Sequence, residues 1–275
     1  MTTWDELRRD PVSLRAYLDQ VDAQLSASGI AIHARVIHAW TAIQTDTRSV
    51  IPLGHPSLQV VDVYFKEKYG RRGLLDMSVG RMLVLFGHEA WALRFPMVYG
   101  TVRIDLARMI EDGTPDVLAR MSSGERAHLD DLLPRAFRAF YALREVSPDL
   151  RADLSTAVEQ AINPRGHLGL SKWSSQQAVE KMLKSYVLKQ QHPVPKRGHK
   201  LEPIVATAEH LGLPPLNRNL LASVECDASA RYPMDGVQVT LREAVEANQA
   251  ATLLCGEIAS TLEPSLMTIE VVRKP

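Results

Sequence analysis

Apolar positions along this chain recur mostly three and four apart, the spacing of helices that bury one face. Thr3 and Glu6 stand three apart, as in a capping box, and predict a helix start. Asp10-Pro11 predicts a second start, with an acid as cap and proline at the first helical position. Leu14, Tyr17, Leu18, Val21 and Leu25 follow on one face, and Gly29 ends the run. Residues 30–43 are rich in Ala, Ile and Val without clean periodicity, and residues 45–54 read as a loop. Residues 56–69 carry Val60, Val61, Tyr64 and Phe65, with Gly70 as a helix stop. The pattern then shortens. Residues 81–86, 90–95 and 97–104 are brief apolar runs bounded by Gly80, Gly87 and Pro96, and predict two or three antiparallel strands. A short helix is expected over residues 105–111.

From there the helical period returns. Ser122 and Glu125 form a second capping-box pair, ahead of Leu129, Leu132, Leu133, Phe137, Phe140 and Leu143. Pro134 is expected to kink or divide that helix, because it removes a donor and crowds the preceding turn. Ser147-Pro148-Asp149 is a restart and the best candidate for a domain boundary. Five helical runs follow, the last beginning at the Thr240–Glu243 pair, and residues 267–272 could form a terminal strand. The expected class is mainly α. An antiparallel helical bundle occupies residues 147–275, and an α+β part with a small antiparallel sheet occupies residues 1–146.

Charge narrows the range of functions. Lys plus Arg and Asp plus Glu each number 32, so the net charge is zero. Residues 147–275 alone hold 14 of each, so neutrality is not an average over opposed halves. A general polyanion binder carries a basic excess, and this chain has none. No run of about 18 apolar residues predicts a membrane helix, and the first residues lack an apolar leader. Cys226 and Cys255 are the only cysteines, which fits a reducing, cytoplasmic setting.

The wording of the C-terminal runs adds a resemblance. Residues 175–184 read Ser-Gln-Gln-Ala-Val-Glu-Lys-Met-Leu-Lys. A basic, proline-containing loop leads to His199-Lys200-Leu201, and a later run closes on Ala230-Arg231-Tyr232-Pro233. In this order the three motifs resemble the HEPN domain family over residues 147–262, in its arg-tyr-pro form. That resemblance implies a helical bundle that commonly forms a homodimer. It also implies nucleotide binding, or a partnership with a nucleotidyltransferase, in a toxin–antitoxin or defence setting. Catalytic members are metal-independent ribonucleases with an Arg and a His four to six residues apart. No Arg precedes a His at that distance within residues 147–275. A ribonuclease would therefore need a non-standard pair, Arg197 or Arg231 with His199.

Residues 189–200 hold four fixed positive charges and two histidines with no acid, a pattern suited to a phosphate or to a plain solvated loop. The candidate ligand- or phosphate-binding set is Lys184, Lys196, Arg197, His199, Lys200, Arg231 and Tyr232. Glu180 and Lys184, four apart, also fit a surface ion pair. Arg231 also fits a cation complementing a helix end. Arg135, Arg138 and Arg144 alternate with Phe137 and Phe140, which reads as core packing with a basic edge rather than a strand-binding face. His33, His38, His55 and His88 lack zinc-site spacing. No nucleophile elbow, dinucleotide fingerprint or phosphate loop is present, so no catalytic residue, metal or cofactor is expected.

Overall fold

The computed structural model describes residues 3–51, 55, 59–70, 78–98, 106–111, 113, 115–144, 148–194, 199–232 and 238–262. The chain divides into two compact units, residues 1–77 and 78–275.

The regular structure of the first unit's described residues is all helix: α1 (Trp4–Arg9), α2 (Pro11–Ala27), α3 (Ile32–Thr47) and α4 (Gln59–Tyr69). Thr3 and Glu6 form the expected capping box, and Asp10 caps α2 with Pro11 at its start. Gly29 and Gly70 take positive φ, the left-handed region where glycine alone has no side-chain penalty. Of residues 30–43, ambiguous in sequence, 32–43 are helix, and α3 continues through Thr47 into the expected loop of residues 45–54. Ala31 occupies the cap of α3 without a side-chain hydrogen bond, so no start signal marks it. Trp4, Leu18, Val36, Ile43, Val61 and Phe65 fill the core of this unit. Asp22 is buried beside it and accepts from Tyr69, Arg35 and Lys68.

The second unit opens with a hairpin, β1 (Ser78–Phe86) and β2 (Glu89–Pro96), paired antiparallel with Leu83 opposite Ala92. Gly87 and His88 both take positive φ, as a two-residue turn matched to strand twist requires. Of the third expected strand, Met97 and Val98 lie outside any strand, and residues 99–104 are outside the described set. The short helices α5 (Leu106–Met109) and α6 (Pro115–Ala119) follow. Then come α7 (Ser123–Leu143), α8 (Pro148–Ile162), α9 (Leu168–Lys189), α10 (Glu202–His210) and α11 (Arg218–Val224). A 3-10 turn (Ala228–Arg231) precedes the last helix, α12 (Leu241–Leu262). Pro134 does not divide α7, which runs unbroken through it. Residues 267–272 lie outside the described set.

The division between the compact units falls after residue 77, whereas the expected boundary lay near Ser147, and the hairpin belongs with the helices that follow it. Both of its faces are buried. Leu83 and Ala92 pack with Val158 of α8 and Val245 of α12. Phe95 packs edge-to-face on Phe137 of α7, with ring centroids 4.9 Å apart. The strands therefore share one core with the helices that follow residue 147. The outer edge of β1 is also occupied. The Leu83 N–H donates to Asn248 Oδ1 at 2.8 Å, and Gln249 Nε2 donates to the Leu83 carbonyl at 3.0 Å. These side chains of α12 take backbone groups that an exposed edge strand would leave open.

Candidate functional site

The helix α9 carries most of the site. His167 caps it, its Nδ1 accepting from the Leu170 N–H at 3.0 Å. The helix packs against α8 and α12 along one side and against α10, α11 and the 3-10 turn along another. It is consequently buried nearly all round, and Ser171, Ser175, Gln176 and Glu180 are buried polar residues within it. Burying such groups costs free energy unless each finds a partner.

Glu180 finds three. Its carboxylate accepts from Lys184 Nζ at 2.5 Å, from Gln177 Nε2 at 3.0 Å and from His199 Nδ1 at 3.3 Å. Its side chain is only 4% exposed, against 40% for Lys184 and 52% for His199. This is a buried carboxylate aiming two exposed basic groups, and not the surface pair that the spacing suggested. Burial pushes the Glu180 carboxyl up, but the hydrogen bonds from Lys184 and His199 outweigh it and hold it below its usual value. A carboxylate only accepts, so His199 donates through Nδ1. Its Nε2 has no hydrogen-bond partner among the described residues.

Gln176 ties the segments around the site together. Its Oε1 accepts from the Cys226 N–H at 2.5 Å, and its Nε2 donates to the His199 carbonyl. One buried amide thus holds the start of the 199–201 segment and the approach to the 3-10 turn against α9. Trp173, one turn earlier, is 6% exposed. His199 meets the Trp173 ring edge-on at 4.8 Å, and the Arg231 guanidinium lies over that ring at 4.4 Å. The Tyr232 ring lies 5.2 Å from the same guanidinium and is 54% exposed. Arg231 Nε donates to the Ala228 carbonyl at 3.0 Å. Its terminal nitrogens have no acceptor among the described residues.

Lys184, His199, Arg231 and Tyr232 of the expected set therefore form one chain of contacts, linked through Glu180 and Trp173. Lys200 is exposed and lies near the same turn. The Ser229 hydroxyl and N–H hold the Asp227 carboxyl below its usual value, and Lys200 contributes to that. Lys196 and Arg197 lie outside the described residues. Sequence reasoning missed Trp173 and Gln176. Their signal was the stripe Trp173, Gln176, Glu180, Lys184 beside the apolar one, at three- and four-residue steps. Phe137 and Phe140 are buried and Arg138 is exposed, as core packing with a basic edge requires. Among the described residues no three metal-ligating side chains gather, and no helix is long and apolar enough to cross a membrane. Comparisons with family models, curated proteins and solved structures return no match for this chain.

Proposed function

We propose that the second unit is a HEPN-like binding module whose α9 face takes a nucleotide or another phosphate-bearing ligand. The observation that carries this reading is the Arg231 guanidinium lying over the Trp173 ring, its terminal nitrogens without an acceptor among the described residues. A guanidinium already held by its Nε bond to Ala228 and by the Trp173 ring loses little freedom on meeting a phosphate and offers it a two-pronged donor. Lys184 and His199 stand at the other end of the same contact chain, held by a carboxylate that solvent barely reaches. Exposed Tyr232 offers a ring for a base to rest on. Titration calorimetry with ATP, ADP, AMP and inorganic phosphate tests the reading. Arg231→Ala is expected to weaken the best of these ligands about tenfold, or about 1.4 kcal/mol. Absence of heat and of any thermal shift with all four overturns it.

A second reading is metal-independent ribonuclease chemistry by Arg231 and His199. It is favoured by one observation: both residues rest against Trp173, and Glu180 occupies His199 Nδ1 while Nε2 stays open. A carboxylate on one ring nitrogen fixes the tautomer and leaves the other to move a proton. Incubation with single-stranded RNA in excess EDTA separates the two readings. Cleavage that His199→Ala and Arg231→Ala each abolish would establish the ribonuclease.

A further inference from the structure

A groove of about 640 Å³ runs along the second unit between α7 and α12, and none of its lining residues belongs to the α9 cluster. The groove has a structural cause. A Cβ on Gly256 of α12 would lie 2.3 Å from Ala139 Cβ and 2.4 Å from Ala139 Cα of α7, so the two backbones touch at this point. Close approach at small residues lets the larger neighbours on either side stand as walls. The third wall is the segment 213–217, and it is stiff. Pro214 and Pro215 fix their own φ. The Leu216 N–H donates to Glu209 Oε1 at 3.0 Å, and the Asn217 side chain caps α11.

The lining has two chemistries. Leu213, Leu216, Leu253 and Ala139 give an apolar floor. Arg135 and Arg138 line the groove from α7 and Glu257 from α12; burial raises the Glu257 carboxyl, and Arg135 lowers it in part. Arg135 is partly satisfied by Asp131 at 3.2 Å, whereas Arg138 is exposed and has no acceptor among the described residues. The groove thus offers one guanidinium, that of Arg138, without an acceptor among the described residues beside an apolar floor. Its volume falls within the range of small-ligand sites.

We propose that this groove binds a small amphipathic monoanion, an apolar body seated on the leucines with one carboxylate or sulfonate at Arg138. The site is independent of the α9 face. The probe is 8-anilinonaphthalene-1-sulfonate, compared with N-phenyl-1-naphthylamine, the same apolar body without the anion. The full chain is expected to bind the sulfonate saturably at one equivalent. Arg138→Gln should weaken the sulfonate about tenfold and leave the neutral amine unchanged, since it removes a charged hydrogen bond and no apolar surface. Ser260→Trp, which places an indole in the groove, should remove both. Arg231→Ala should change neither. No saturable binding, sulfonate binding that Arg138→Gln leaves intact, or binding that survives Ser260→Trp overturns the proposal. Because Arg138 is exposed, its variant reports on the groove even if Ser260→Trp fails to fold.

Discussion

Gly169→Ala is expected to destabilise the second unit by about 3 kcal/mol, the upper end for forcing one extra carbon into a packed site. In an open helix the same change stabilises by about 0.5–1 kcal/mol, because alanine loses less backbone freedom. Gly169 is not open. A Cβ there would lie 1.9 Å from the Ala230 carbonyl oxygen and 2.9 Å from Ala230 C. Both are backbone atoms, so no side-chain rotation relieves the clash. The 3-10 turn must move away from α9, and Arg231, the residue after Ala230, moves with it. The contact of its guanidinium with Trp173 is then lost, and affinity for the proposed phosphate-bearing ligand should fall with stability. Gly124→Ala is the control. It lies in the first turn of α7, and a Cβ there meets nothing within 4 Å. Urea denaturation of both variants checks the prediction, and equal midpoints for the two would refute it.

The clash also shows what the sequence could and could not convey. Signals that act within a few residues were legible. Capping boxes at Thr3–Glu6, Ser122–Glu125 and Thr240–Glu243 all form, because donor and acceptor are three apart and need no distant partner. Signals that depend on what covers a surface were not. The spacing of Glu180 and Lys184 is the same for an exposed pair and for a carboxylate roofed by residue 199. The roles of Gln176 and Trp173 arise from segments 23 to 58 residues downstream in sequence. The boundary near Ser147 followed from a true helix start, since α8 begins at Pro148. The hairpin before it packs α7 on one face and α8 and α12 on the other, so the strands share a core with the helices after that start. The continuous apolar run Met82-Leu83-Val84 carried that information, since a strand solvated on one face would alternate.

Lys184→Met is expected to cost about 3 kcal/mol near neutral pH, the low end for stripping one partner from a buried ion pair. Glu180 then keeps only Gln177 and His199, and its carboxylate cannot reach water at 4% exposure. Glu180→Leu should cost far less, about 1 kcal/mol or below, because Lys184 at 40% exposure simply extends into solvent. Acid separates the two mechanisms. In the native protein the Glu180 carboxyl is held below its usual value, so its contribution is present above the unfolded-state value and is lost as pH falls through the lowered one. Without Lys184 the first of the groups that lower it is gone, so the carboxyl lies higher than in the native protein. The variant then loses less stability than the native chain as the group takes a proton on acidification. The gap in stability between the native chain and Lys184→Met should therefore narrow from about pH 7 to about pH 4. Adding Glu180→Leu to Lys184→Met should restore most of the loss at pH 7, since no buried charge is then left unpaired. A gap independent of pH would mean that Lys184 acts through the packing of its stem. A narrowing gap means that Lys184 and His199 are held by one ionised carboxylate, the condition that the proposed binding face requires.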